Sequence, residues 1–233
     1  MRRWRNLGRW LLHLAIAVLI LLPCLWLVAH RWIPVQVTPL MVIRWLDGAD
    51  WQHDWVAFEE IDRDLIAAVI ASEDNRFCQH RGVDWGAIQQ AQAEVEQGQR
   101  ASPRGASTLS QQTIKNLLLW PEKSRTRKAL ELTYVTLLEA LWTKLRILET
   151  YLNIVEFGPG IYGAEAAAQH YFGVRANALT PRQSALLATA LPNPLARNPA
   201  KPSTSHAARA SRIERRMRSL EGHLGCLPPA AKP

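Results

Sequence analysis

Two adjacent carboxylates, Glu73 and Asp74, end an apolar helical stretch in the segment ASEDNRFCQHRGVD. Ile61, Leu65, Val69 and Glu73 recur every four residues, so Glu73 extends the apolar stripe of its helix and is drawn partly out of water. Desolvation, the negative end of the helix dipole and the charge of Asp74 would each raise the pKa of the Glu73 carboxyl group. Such a group suits general base or acid catalysis. The alternative is an ordinary solvated helix end.

A second group of polar residues lies in the segment GASTLSQQTIKN. Ser107 or Thr108 is the predicted N-cap of a helix. Gln111 and Lys115 are then separated by one turn, while Thr108, Gln112 and Lys115 share a polar face. Hydroxyl groups, free backbone N–H groups and an ammonium group together suit a phosphate. The alternative is a solvated amphipathic helix.

A third pattern, RTRKALE, places Arg127 and Glu131 one helical turn apart. Such a pair is commonly an exposed ion pair of small energetic value.

His80 and Cys78 are close in sequence but are too few to form a zinc site. The sequence contains no Walker-type phosphate loop and no G-x-S-x-G motif. The candidate chemistry therefore rests on carboxylates and cations, and we expect no tightly bound cofactor.

An apolar run of about 19 residues, 11–29, follows four arginines and is long enough to cross a bilayer. The arginines favour an internal N-terminus with the remainder of the chain outside. A cleaved signal peptide is the alternative. Several tryptophans follow the run, as is typical near a headgroup layer. The net charge of +8 fits an anionic bilayer surface or an anionic substrate, and the anchor argues against nucleic acid as a partner.

The chain divides into four predicted parts: a cytoplasmic tip and transmembrane anchor (1–31), a juxtamembrane connector (32–58), a helical domain (59–225) and a flexible tail (226–233). We predict a short strand at MVIRW, one long helix across residues 124–157, and a mobile loop around residues 94–103. Thr180 and Pro181 predict the start of a later helix. Only Cys78 and Cys226 could pair in an oxidising compartment, and no disulfide framework is expected.

Taken together, EDNRFCQHRGVD, GASTLSQQTIKN and RKALELTYVTLLEALWTKLRILETYLN resemble, in order and spacing, the signature motifs of the family 51 glycosyltransferases. The later segments GAEAAAQHYFG and ALLATALPNP extend the resemblance to residues 61–199. It implies an all-α, lysozyme-like domain behind a single N-terminal transmembrane helix. The implied reaction transfers a growing glycan chain from its polyprenyl diphosphate onto the 4-hydroxyl of the GlcNAc of lipid II. Inversion at the donor sugar would form β-1,4 links of peptidoglycan.

The same resemblance implies roles for individual residues. Glu73 would be the general base, and Glu131 would assist the leaving group directly or through a divalent cation, Mg²⁺ or Mn²⁺. The residues implied in substrate binding are Asp74, Phe77, His80, Ser107, Thr108, Gln111, Gln112, Lys115, Asn116, Arg127 and Lys128. Four further motif residues, Glu139, Glu149, Tyr151 and Asn153, are expected to hold their helix in place.

The implied setting is a bacterial inner membrane, crossed once, with a cytoplasmic N-terminus and a periplasmic catalytic domain. The expected partners are lipid II, the polyprenyl-linked glycan strand, membrane lipids, and proteins of cell division or cell-wall synthesis. Two alternatives stay open. One is a lysozyme-like enzyme that cleaves peptidoglycan with one Glu as general acid. The other is a membrane-anchored scaffold for cell-wall assembly.

Overall fold

The computed structural model describes residues 2–101, 105, 107–122, 124–220 and 224–228 and is dominated by helices. Because their apolar residues recur at helical spacing, most of these helices bury one face in a common core. The helices are α1 Arg2–Ile16, α2 Leu22–His30, α3 Pro39–Leu46, α4 Arg63–Glu73, α5 Trp85–Glu96, α6 Leu109–Leu118, α7 Arg125–Leu141, α8 Lys144–Ile154, α9 Ala164–Phe172, α10 Pro181–Ala190 and α11 Thr204–Met217. The predicted all-α class is confirmed.

A three-stranded sheet supplements the helices. Its strands are β1 Gln52–His53, β2 Glu156–Gly158 and β3 Ile161–Tyr162, in the order β1–β3–β2. β1 pairs with β3 in parallel, and β2 pairs with β3 in antiparallel orientation. The sheet ties the connector after the anchor to the segment that follows α8.

Two predicted elements differ from the structure. The MVIRW segment is part of helix α3 and not a strand, because the Thr38 hydroxyl caps the helix and Pro39 starts it. The predicted long helix across residues 124–157 is two helices. Trp142 adopts an extended backbone, and the Thr143 hydroxyl accepts a hydrogen bond from the Arg146 N–H to begin α8.

The first two helices continue into each other through a π-helical turn at Ala17–Leu21. Within the described residues, the stretch Gly8–His30 is the one segment long and apolar enough to cross a membrane. It contacts the rest of the chain through the Leu27 side chain, which is buried in the core, and through its backbone. The Tyr134 hydroxyl donates to the Leu19 carbonyl, and the Trp142 indole donates to the Leu27 carbonyl at 2.7 Å.

A disulfide joins Cys78 to Cys226, which are 148 residues apart in sequence. The sequence leaves this pairing open, and the expectation of no disulfide framework misses it. Cys226 and the buried Leu227 belong to the predicted flexible tail, yet both pack against the domain. Residues 229–233 of that tail, and residues 102 and 103 of the predicted mobile loop, lie outside the described residues.

Candidate active site

Glu73 is the last residue of α4, and its carboxyl group is largely withdrawn from solvent. Gln112 Nε2 donates to Glu73 Oε2 at 2.9 Å, and Ser72 Oγ donates to Oε1 at 3.2 Å. Burial raises the pKa of Glu73, while these two hydrogen bonds and the charges of Lys115 and Arg197 oppose the rise. The sequence-based prediction of a raised pKa is therefore confirmed, with desolvation as its main cause.

Asp74 faces a different set of groups from Glu73. Its Oδ2 accepts a hydrogen bond from the Leu109 N–H at 2.9 Å, and His80 Nε2 lies 3.0 Å from its Oδ1. Its charge is not among the causes of the Glu73 pKa shift, so the predicted like-charge repulsion is wrong. Asp74 instead joins the first motif to the start of α6.

The start of α6 is closed by a reciprocal cap. Thr108 is the N-cap, as predicted, and its hydroxyl accepts from the Gln111 N–H at 3.2 Å. The Gln111 side chain in turn accepts from the Thr108 N–H at 3.0 Å. Ser107, just before the cap, is exposed and accepts from Lys128 Nζ at 3.4 Å. The cap fixes the direction of α6 and hence the position of the polar face one turn further on.

That face carries Gln112, Lys115 and Asn116 along one wall of a cavity of about 230 Å³. Burial lowers the pKa of Lys115, and the nearby carboxylates Glu131 and Glu73 oppose this shift. Lys115 is thus a cation that interacts with two carboxylates and lines the cavity. Such a position suits an anionic ligand.

Glu131 is buried, with 3% of its surface exposed, and it contacts two cations on its own helix. Arg127 Nη1 donates to Glu131 Oε2 at 2.7 Å, and Lys128 Nζ contacts Oε1. Arg127 is buried as well. The alternative of an exposed ion pair is therefore wrong, because α7 turns this pair toward the interior.

Two carboxylates, one hydrogen-bonded and one ion-paired, and a lysine that interacts with both form the centre of this site. Residues 41–218 match the model of the family described as Transglycosylase. The chain belongs to this family.

It is 49% identical over 191 residues to the biosynthetic peptidoglycan transglycosylase of Rhodospirillum centenum, covering 82% of each chain. It is 47% identical over 209 residues to that of Caulobacter vibrioides, covering 90% of each chain. It is also 45% identical over 225 residues to that of Pseudomonas aeruginosa, covering 94% of each chain. The resemblance drawn from the motifs is confirmed.

Two residues predicted to shape the acceptor side of this transglycosylase site are buried. Phe77 lies in the core, where Lys144 Nζ is 4.5 Å from the centre of its ring. His80 is held against Asp74. Both belong to the segment that follows Glu73, and their side chains are turned away from solvent.

The four residues expected to hold their helix in place make internal contacts. Glu139 accepts hydrogen bonds from Ser110 Oγ and from Lys144 Nζ. Asn153 bonds to both backbone groups of Val56. The other two bond elsewhere: Glu149 accepts from the Phe58 N–H and from Arg146, and the Tyr151 hydroxyl donates to Gln112 Oε1.

Three charged residues near the site were missed by the sequence analysis. Arg197 places its charge near Glu73 and donates to the Thr189 carbonyl at 2.7 Å. Arg44 and Glu156 line the same cavity as Lys115. Arg44 lies in the segment predicted as a strand, and Arg197 lies in a Pro-rich loop without periodicity, so neither could be placed from spacing alone.

Proposed function

We propose that this chain polymerises peptidoglycan glycan strands, with Glu73 as the base that activates the acceptor hydroxyl. The observation that carries the proposal is the half-buried Glu73 carboxyl group, held by Gln112, together with Lys115, whose charge interacts with both Glu73 and Glu131. The substrate is lipid II, and the donor is the glycan strand on its polyprenyl diphosphate. The family and the named relatives support this assignment.

The base must take a proton from a sugar hydroxyl that is a poor nucleophile in its neutral form. A carboxyl group whose pKa is raised by burial is a better proton acceptor than an ordinary surface carboxylate. Gln112 and Ser72 donate to both oxygens of Glu73 and so hold the group in one orientation. The 4-hydroxyl of GlcNAc attacks the anomeric carbon of the donor from the side opposite the diphosphate, so the anomeric centre inverts.

The leaving diphosphate needs positive charge as the glycosidic bond breaks. Lys115 supplies it from α6, and Arg127 and Lys128 add charge from α7 beside Glu131. Gln112 and Asn116 offer polar contacts along the same face, with Ser107 and Thr108 at the helix start. Glu131 keeps the α7 cations in place and assists at the leaving-group side.

A divalent cation at Glu131 does not fit the donor set. Both Glu131 oxygens are engaged by cations, and the described residues contain no group of three or more His, Cys, Asp or Glu side chains that could hold a metal. We propose that Mg²⁺ or Mn²⁺, when used, enters with the diphosphate of the substrate. Comparing polymer yield with and without a chelator tests this statement.

The setting proposed for the reaction is the bacterial inner membrane, crossed once, with the catalytic domain in the periplasm. The apolar stretch Gly8–His30 supports an anchor. The exposed aromatic and aliphatic residues after it support contact with membrane lipids. Proteins of cell division or cell-wall synthesis are proposed as further partners.

The deciding experiment is incubation of the detergent-solubilised full chain with labelled lipid II, followed by gel separation and muramidase digestion. We expect a ladder of muramidase-sensitive polymer. Release of fragments from preformed peptidoglycan would favour the lysozyme-like hydrolase. No product from folded protein would favour the scaffold.

Lys115→Ala tests the charge beside the leaving group. Because Lys115 is the cation that interacts with both carboxylates, we expect its loss to lower kcat/KM for lipid II by about 100-fold, as for removal of one stabilising group in a transition state. Lys201→Ala, at an exposed lysine, is the matched control. Equal kinetics for the two variants would contradict a role for Lys115 in binding the leaving diphosphate.

A further inference from the structure

Helix α3, the first helix after the apolar span, reaches into the cavity that Lys115 borders. Thr38 Oγ1 accepts from the Met41 N–H at 3.3 Å and starts the helix. Leu40 and Arg44 are one turn apart and therefore share a face, and both line the cavity. Leu40 lies just before the Transglycosylase match, and Arg44 and the other lining residues lie within it.

Two cations from different helices face the same volume of about 230 Å³. Lys115 comes from α6 and Arg44 from α3, while Glu156 from β2 is the only carboxylate among the lining residues. Like charges in a small, partly desolvated space repel each other unless anions offset them. The charges of Glu131 and Glu73 also act on Lys115, whereas Glu156 is the carboxylate that pairs with Arg44.

The pair formed by Arg44 and Glu156 is loose. Arg44 Nε lies 3.4 Å from Glu156 Oε1, whereas charge-assisted hydrogen bonds are about 2.7–2.9 Å long. Both atoms are buried, and neither has a hydrogen-bond partner within the described chain. Because buried polar atoms are nearly always hydrogen-bonded, the Arg44 Nε donor is the half of this pair that an acceptor on a ligand would satisfy.

Apart from Asn193, the rest of the cavity wall carries apolar side chains. Leu119, Leu191, Pro192 and Leu195 line it, and Leu195 is exposed at the surface. A ligand that fits both walls carries concentrated negative charge next to a hydrocarbon chain. A guanidinium group binds two phosphate oxygens at once through its fork of N–H donors.

We propose that Arg44 is a further substrate-binding residue, which binds the lipid diphosphate opposite Lys115 and is held in place by Glu156 when the site is empty. This inference rests on the proposed function. It assigns to the juxtamembrane helix a direct contact with the lipid-linked substrate. The diphosphate then has cations on two sides, one from the helix next to the membrane and one from the catalytic core.

The test measures binding of farnesyl diphosphate to the full chain in detergent, with farnesol as the uncharged probe. Loss of a hydrogen bond to a charged group corresponds to about 10- to 100-fold in affinity. We expect Arg44→Ala to weaken farnesyl diphosphate binding by this factor, Arg44→Lys to weaken it less, and both to bind farnesol as the original chain does. Arg212→Ala, at an exposed arginine of α11, is the matched control.

A second variant distinguishes an effect on diphosphate binding from an effect on folding. Arg44→Ala leaves Glu156 as an uncompensated carboxylate, which can destabilise the chain. The double variant Arg44→Gln, Glu156→Gln removes both charges and should melt near the original temperature. We expect it to keep the weakened diphosphate affinity, while Glu156→Gln alone binds farnesyl diphosphate at least as tightly as the original chain.

The outcomes distinguish this inference from the proposed function. Unchanged farnesyl diphosphate affinity in folded Arg44 variants overturns the inference, even if the chain polymerises lipid II. If the Arg44 variants bind farnesyl diphosphate more weakly but the original chain makes no polymer, the inference about Arg44 is supported. The proposed polymerase function is then overturned. Equal losses for farnesol and farnesyl diphosphate would also overturn the inference, because they show a disturbed apolar wall instead of a lost anion contact.

Discussion

Glu73, the residue proposed as the catalytic base, is costly to the fold in its ionised form. Burial raises the pKa of its carboxyl group above the model-peptide value of 4.5. The folded chain therefore holds this proton more tightly than the unfolded chain does. The associated stability is fully present below pH 4.5 and is lost as the pH rises through the raised pKa. The ionised form of the group is the proton acceptor that the proposed reaction needs.

Glu73→Gln should separate activity from stability. Because amide nitrogen and oxygen cannot accept the acceptor's proton effectively, we expect polymerisation to fall by about 10²- to 10⁴-fold. Because the amide has no ionised form, the melting temperature of the variant relative to the original chain should increase between pH 4.5 and pH 8. Paired activity and melting measurements at several pH values check both statements.

Glu59→Gln is the control for this variant, since Glu59 is exposed. It should change neither polymer yield nor the pH dependence of melting. A folded, fully active Glu73→Gln chain would contradict the role of Glu73 as base. A melting difference that shrinks with rising pH would contradict the direction of its pKa shift.

At the scale of the elements, most helices can be predicted from local signals in the sequence. The other elements depend on contacts between residues that are far apart in the chain. Thr108 and Thr180 are caps that can be recognised from neighbouring residues alone. The break at Trp142 could not be recognised in this way, because the leucine spacing continues through it. The sheet joins Gln52 to Ile161 across the chain, and such a pairing leaves no local pattern. The position of Arg44 in the site depends on how α3 packs and was missed for the same reason.

The Cys78–Cys226 disulfide ties the C-terminal segment to the turn Phe77–Gln79, between Asp74 and His80. The turn lies between Asp74, which accepts from the Leu109 N–H at the start of α6, and His80, which contacts the Asp74 carboxylate. In the chain-entropy account, a loop of this length corresponds to about 5 kcal/mol, although measured disulfides commonly give about 2–4 kcal/mol. The disulfide should therefore stabilise both the fold and the position of Gln112 beside Glu73.

We expect Cys226→Ser to lower the melting temperature by on the order of 10 °C and to reduce polymerisation at temperatures where the original chain is still folded. A reducing agent should produce the same change in the original chain and no further change in the variant. Cys24→Ser is the control, because Cys24 is not paired. Identical melting of oxidised and reduced protein would contradict a stabilising disulfide.

Over the whole molecule, the end of the apolar span is attached to the catalytic domain at several points. Arg146 of α8 donates to the carbonyls of His30 and Ile33, and Trp142 donates to that of Leu27. Beyond the span, Trp45 and Leu46 of α3 are 57% and 71% exposed, on the helix that also carries Arg44. Exposed apolar side chains on the same short helix as Arg44, the arginine proposed to bind the diphosphate, fit a site that opens at a bilayer surface.

The orientation of the chain is the last prediction. The N-terminal arginines favour a cytoplasmic N-terminus, so the domain after residue 31 should lie in the periplasm. We expect a C-terminal alkaline phosphatase fusion to be active in cells and a C-terminal green fluorescent protein fusion, exported through the same pathway, to be dark. Deleting residues 8–30 should reverse both readouts, since the span is then missing. A bright fluorescent fusion of the full chain would place the domain in the cytoplasm, on the side of the membrane away from the cell wall, and would contradict the proposed setting of the reaction.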